Sequence, residues 1–484
     1  MLSLILSIAA LVLGYVFYGK LAERIFRPDP QQPTPALSKA DGVDFIRMPG
    51  WKVFMIQFLN IAGTGPIFGA IMGAKFGPSA YLWIVLGCIF AGAVHDYFSG
   101  MLSVRNGGVG LPEIIGKYLS KGARSVMLVF TVLLLILVGA VFVYSPAIIL
   151  GDMTGGTTTS ILIWVGVIFL YYLVATFMPI DKIIGKIYPL FAFSLLFMAV
   201  ALLVGLLVKW PAIPEIWDGL ANRGPSVGVK GQPIFPCLFI TIACGAISGF
   251  HGTQSPLMAR CMENEKLGRP IFYGSMITEG IVALIWAAVS SYFFFAGGAQ
   301  EVGSSLSASA PTVVTTVAKS WLGVLGGIQA LLGVVAAPIT SGDTALRSAR
   351  LIVADAFKIE QKRAGGRLVI CLPLFAVTAL LLWFNIADEN GFNTIWRYFG
   401  WANQTLSVFT LWAITVFLAR FRKRPTFLIS MLPACFMTAT CLTYICIDKI
   451  GLHMPASIIP YLGVGGFLAS LLLFFLWYAR ENAK

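Results

Sequence analysis

Charge is what this chain has least of. Asp, Glu, Lys and Arg supply 11% of its 484 residues, against about 25% in a soluble domain. With 58% hydrophobic residues and a mean hydropathy of +0.85, that deficit excludes an ordinary water-soluble fold. The eight cysteines form no CxxC pair, and Cys88, Cys237, Cys244, Cys371, Cys435, Cys441 and Cys446 lie inside apolar runs. Neither a disulfide framework nor a zinc site is indicated; these cysteines read as small buried hydrophobes. Also missing are HExxH, GxSxG and a phosphate-binding loop, since GLPEIIGKY at 110–118 has the wrong spacing. A membrane enzyme therefore lacks a motif, and a receptor or sensor lacks a signalling domain. A channel stays open as an alternative.

What is present is a succession of apolar windows of about 20 residues, the length that crosses a bilayer. They fall at 2–22, 51–73, 79–104, 124–150, 160–178, 187–208, 234–256, 271–297, 321–340, 366–385, 394–418, 426–447 and 458–478. The expected fold is an all-α polytopic membrane protein of about thirteen spans. In the first window the basic residues Lys20, Arg24 and Arg27 follow the apolar run and no small-residue cleavage site is evident. It reads as a retained anchor with its N-terminus outside and the C-terminus cytoplasmic. With that orientation, 27 of the 34 Lys and Arg fall in inside segments and 7 in outside segments. A span missed or invented midway would scramble this bias. The +13 net charge is thus a topology signal, with no nucleic-acid partner implied; the partner is the lipid bilayer. The stretch after the anchor, with Pro28, Pro30, Pro33 and Pro35, reads as an extended cytoplasmic loop.

Two windows are broken. The segment 234–256 begins as apolar helix, then takes in Gly245, Gly249 and Gly252, with Pro256 expected to stop it. Thr241, Ser248, His251, Thr253, Gln254 and Ser255 lie along it. Polar side chains and weak backbone at membrane depth belong where they face protein or water, and discontinuous helices mark transport sites. Its counterpart is FLNIAGTGPIFG from Phe58, where Phe58, Ile61 and Ala62 match Phe239, Ile242 and Ala243 of FITIACGAISGF in register. Five spans separate the two starts, and an odd number inverts the second copy. The organisation expected is a LeuT-type five-plus-five inverted repeat. An anchor and loop at 1–50 precede it, the repeats occupy 51–208 and 234–418, and two helices at 426–484 follow.

At these residues the chain also resembles the carbon starvation protein A family. The matching stretches are DGVDFI (41–46), IAGTGPIFG (61–69), AGAVHDYFSG (91–100), FITIACGAISGFH (239–251), Gly342-Asp343-Thr344 leading into Ala349-Arg350, and NTIW…FGWANQ (393–404). Long members carry extra spans and an insertion that this chain lacks. They have Gln-Asp where it has His95-Asp96, and a longer Ser/Thr-rich run where it reads GTQSP. The resemblance implies a transporter of the bacterial inner membrane that takes up small peptides or pyruvate, driven by a proton gradient.

The residues themselves offer three sets of candidates. Asn60, Gly63, Thr64 and Gly65 at the first break, with Thr241, Gly245, Ser248, His251 and Gln254 at the second, are expected to bind substrate. Helix N-termini freed there can hold a carboxylate, and carbonyls at the opposite end an ammonium group. A plain Gly69/Gly73 packing face is the competing reading. For the coupling proton the candidates are His251, Glu279, Asp96 and His95, because buried ionisable groups in a membrane are costly and usually functional. Structural pairing of His95 and Asp96 near Arg105 is equally open. Thr340, Ser341 and Asp343 form a candidate sodium site, against the alternative that Asp343 caps a separate helix reaching Phe357. Asn403 and Gln404 read as polar packing contacts. No cofactor or resident metal is expected, and the sequence says nothing of oligomeric state.

Overall fold

The computed structural model describes residues 1–177, 180–361, 364–388, 391–422 and 425–483. The described chain is helical. Its long elements are α1 (Leu2–Phe26), α2 (Gly50–Ala62), α3 (Gly65–Ala74), α4 (Ser79–Arg105), α5 (Lys121–Met153), α6 (Thr158–Phe177) and α7 (Ile180–Lys209). After a long loop come α8 (234–241), α9 (His251–Ala259), α10 (Glu265–Phe295), α11 (Ala310–Phe357), α12 (Ala364–Ala387), α13 (Gly391–Phe421), α14 (Leu428–Ile447) and α15 (Ile459–Asn482). Among the described residues ten helices are long and apolar enough to cross a membrane, and the bent pair α2–α3 adds an eleventh crossing if counted as one span.

Local chemistry accounts for the starts. Ser120 accepts from the Ala123 amide and caps α5, and Ser309 does the same for Thr312 at the head of α11, with a proline in its first turn. Within the bundle α10 and α4 are the most enclosed spans, while α6 and α15 sit at the lipid-facing periphery. Helix α5 packs along α11, which also packs against α7.

Several expectations change. The break expected in 234–256 is present, α8 stopping at Thr241 and α9 starting at His251, and the changes lie elsewhere. Pro256 does not end α9, which runs on to Ala259; a proline removes one backbone donor, and here that loss is absorbed within the turn. The 321–340 span, whose side chains at 324–327 and 329–331 lie outside the described residues, is part of the longer α11, kinked at Gly323. Asp343 therefore lies mid-helix, and the separate helix it was to cap does not exist. Its neighbours Thr340, Ser341 and Gly342 resemble a helix start in sequence, but they are buried against other helices, where polar residues need no chain end to satisfy them. Nor is the loop after α1 extended. Asp41 Oδ1 accepts from the amides of Val43, Asp44 and Phe45 at 2.8–2.9 Å. The Met48 amide bonds Cys261 O, and Thr34 bonds Met262 O.

The two ends of the bundle are distinct. At one end the start of α1 meets the 210–233 loop, with the Ser3 amide on Glu215 at 2.7 Å, and Arg223 N reaches Phe76 O beyond α3. At the other, Arg422 bonds Phe26 O at 2.7 Å and Arg420 pairs with Glu481 at 2.9 Å. The first and last described helices thus leave from opposite ends.

Candidate functional site

The site forms where the two broken spans touch. Helix α2 ends at Ala62 because Gly63 takes φ +27° and ψ −141°, a conformation that side-chain-bearing residues rarely adopt. The chain turns by 51° and α3 resumes with Pro66 in its first turn. Next to this break both amide atoms of Asn60, both of Gln57 and the Thr64 hydroxyl are buried without a hydrogen-bond partner. Each such group costs about 1–3 kcal/mol, so concentrating them here sacrifices stability.

In the second break Ile242 leaves the helical region (φ −96°, ψ 80°) and Gly245 takes φ +91°. Asn403 on α13 satisfies the loosened backbone. Its Oδ1 accepts from the Phe250 amide at 2.7 Å and the Ser248 hydroxyl at 3.0 Å, and its carbonyl accepts from Gly249 N. Gln404 donates to Phe239 O at 2.9 Å. Both are the polar contacts expected of them. The breaks press together through α3: a Cβ on Gly65 would lie 2.3 Å from Cys244, and one on Gly73 2.2 Å from Ile242. The glycine packing face and the broken-helix reading are therefore one feature seen from two sides.

Beneath the second break lies a fully buried ionisable cluster. Asp96 on α4 receives two imidazoles, His95 Nδ1 at 2.8 Å and His251 Nδ1 at 2.9 Å. The other nitrogen of His251, Nε2, faces Glu279 on α10 at 3.5 Å. The alternative that His95 and Asp96 serve Arg105 fails, because Arg105 reaches Glu265 at 3.1 Å instead. Cys244, His251 and Glu279 place donor atoms within 4.8 Å of one another, the donor set closest to a metal site among the described residues.

Other candidates lie apart. Gln254 bonds Thr253 Oγ1 at 2.9 Å, and no described bond ties it to either break. Thr340 returns its hydroxyl to the carbonyls of Ala336 and Ala337, and Ser341 bonds Leu59 O at 3.0 Å, just before the first break. Asp343 accepts from Tyr188 at 2.7 Å.

Three features had no sequence signal. A cavity of about 620 Å³ opens above the breaks, lined by Lys75, Arg397 and Lys449 among others. A much smaller space, of about 10 Å³, lies between the breaks beside Gly65, Thr241 and Phe399. At the opposite end, Asp44 is buried under two arginines of α11, Arg350 at 3.3 Å and Arg347 at 3.9 Å. The Asp44–Arg350 pairing joins residues 306 apart in sequence. Cys244, taken for filler, is the side chain against which the first break closes.

Membrane-length helices, two spans broken where they touch, and a buried ionisable cluster beside the second break define a membrane transporter rather than an enzyme. The chain aligns with a solved manganese transporter of Eremococcus coleocola at a TM-score of 0.56 and 14% identity, over 92% of this chain and 99% of that one, a likeness of fold alone. The model of the carbon starvation protein CstA family matches residues 1–163, 154–325 and 291–444, and the chain belongs to that family. It is 46% identical over 339 residues to an uncharacterized membrane protein of Haemophilus influenzae, covering 61% of this chain and 91% of that protein. To the peptide transporter CstA of Campylobacter jejuni it is 26% identical, over 89% and 78% of the two chains. With the pyruvate/proton symporter BtsT of Escherichia coli it shares 27% identity, over 59% and 48%.

Proposed function

We propose that this protein is a proton-coupled secondary transporter that imports small peptides across the bacterial inner membrane. In this reading thirteen spans form a five-plus-five inverted repeat, 51–208 and 234–418, preceded by α1 and followed by α14 and α15. The N-terminus is outside and the C-terminus cytoplasmic, so the 620 Å³ cavity faces outward. Substrate lies between the breaks, with its carboxylate toward the positive N-terminal end of α3. Asn60 and Thr64, buried and unpartnered, are the polar groups ready for it.

The observation that carries the coupling is the line Asp96–His251–Glu279, with contacts of 2.9 and 3.5 Å. A protonated His251 presents an N–H to each carboxylate. Without that proton it can satisfy only one, and two anions then share a dry site at a cost of several kcal/mol. Because His251 opens α9, directly after the unwound stretch, rearrangement of the break by substrate also moves the imidazole. Proton and substrate occupancy are thereby linked. The Thr340–Ser341–Asp343 set is a weaker candidate for a cation, since its hydroxyls are spent on carbonyls.

Pyruvate is the second reading, favoured by the kinship to a pyruvate/proton symporter. The approach above the breaks, about 620 Å³, has room for a peptide and supports the first reading. Uptake into proteoliposomes under an imposed proton gradient, with a panel of peptides and pyruvate, decides between them. Pyruvate alone accumulating would replace the substrate, and a non-saturating, non-concentrative flux would point to a channel.

A further inference from the structure

The cavity above the breaks carries more cation than its surroundings balance. Lys75 at the end of α3, Arg397 on α13 and Lys449 after α14 all line it. Arg397 has a counter-ion, Asp448 at 3.6 Å. Lys75 Nζ lies 4.7 Å from the centre of the Phe294 ring. Neither Lys75 nor Lys449 has a carboxylate within ion-pair distance among the described residues, whereas Lys209 at the same end of the bundle holds Glu301. Concave, low-dielectric walls of one sign focus potential and raise the local concentration of the opposite charge. The floor is aromatic. Trp396 lines the cavity and the small space between the breaks alike, and packs on Phe399 and Phe68 at ring-centre distances of 5.5 and 6.3 Å. The cavity reaches Ile240 and Thr241 of the second broken span directly, and Trp396 with Gly400 stands between it and the small space beside Gly65.

We propose that this cavity is a separate docking subsite for the carboxylate end of the substrate, with Lys75 and Lys449 as the residues that select it. The inference rests on the transport reading and adds a compartment to it. Anionic substrates collect between the two ammonium groups, and the neutral or cationic remainder of a peptide lies against Tyr444 and Gln232. Passage to the small space beside Gly65 then requires Trp396 to yield. Lys449 comes from the connection beyond α14, a helix outside the proposed repeat, which gives the C-terminal helices a part in selection.

The test uses cells expressing the full chain, with uptake of trialanine and of its C-terminal amide measured at low and high external salt. The subsite predicts a preference for the free acid that fades as salt rises. In Lys75→Gln/Lys449→Gln, KM for the acid should rise about tenfold at low salt with maximal rate within about twofold, the pattern of lost charge attraction screened over a Debye length. Lys75→Arg/Lys449→Arg should restore the wild-type KM. If the double variant fails to reach the membrane, Lys449→Gln alone, at an exposed position, should show a smaller KM effect in the same direction. An unchanged KM and salt slope, or equal wild-type uptake of acid and amide, overturns the subsite and leaves the transport reading intact. Absence of any concentrative uptake by the wild type overturns the transport reading itself.

Discussion

The two ends of the bundle treat positive charge in opposite ways. At the end that holds the cavity, Lys75 and Lys449 stand around about 620 Å³ with no carboxylate within ion-pair distance among the described residues. At the other end the arginines are tied down. Arg105 is on Glu265, Arg260 on Asp355, Arg269 on Glu23, and Arg350 on a buried Asp44. The sequence separates the two groups only by expected side, Lys75 and Lys449 in outside segments and these arginines in inside ones. The structure adds that the first group borders an open cavity while the second is held in ion pairs.

That contrast breaks most severely between the ends. His251→Ala and Glu279→Gln should each abolish proton-driven accumulation in proteoliposomes while leaving the protein folded; wild-type accumulation by both would remove the coupling assignment. Next in size is the fastening. Asp44→Ala leaves Arg350 buried without its acid, which costs about 3–5 kcal/mol. It should also release the 41–48 loop from Cys261, whose carbonyl holds Met48 N. The measurement is the rate at which an impermeant maleimide labels Cys261 in an otherwise cysteine-free background. A rate equal to that with Asp44 intact would mean that the pair fastens nothing.

Smaller is Gly65→Ala. The new methyl would meet Cys244 at 2.3 Å, an overpacking worth about 1–3 kcal/mol. Its signature is loss of uptake that Cys244→Gly relieves in the double variant, read by uptake and thermal melting together. Smallest is Glu481→Gln, which frees the partly exposed Arg420 and should change stability by less than about 1 kcal/mol. A large loss of melting temperature there would show that the fastened end depends on its rim as much as on its buried pair.

How much of this was legible in sequence follows from the range of the interactions. Helicity and the two breaks were readable because they are local: glycine and polar residues within an apolar window announce themselves. The partnership of Asp96 and His251 was readable only as two separate candidates, since they stand 155 positions apart. Asp44 and Arg350 lay in family-like stretches, but nothing in either showed that they pair across 306 positions. Asp343 misled for the converse reason. Ser-Gly-Asp looks like a helix start when nothing shows that Tyr188 and Leu59 already satisfy the surrounding polar groups. The cavity belongs to no single segment, being the space left by α3, α8, α13, α14 and the connections beside them.

Helix α11 deserves a mechanical description. Ser341, on the carbonyl just before the first break, and Arg350, on the fastening aspartate, belong to the same unkinked stretch of helix. Nine residues at 1.5 Å each put about 14 Å between them. Over that arm a tilt of 10° displaces the far end by about 2 Å, enough to part a hydrogen bond. The helix can then act as a pushrod: strain introduced at the proposed substrate site would arrive, without relay through flexible chain, at the Asp44–Arg350 pair.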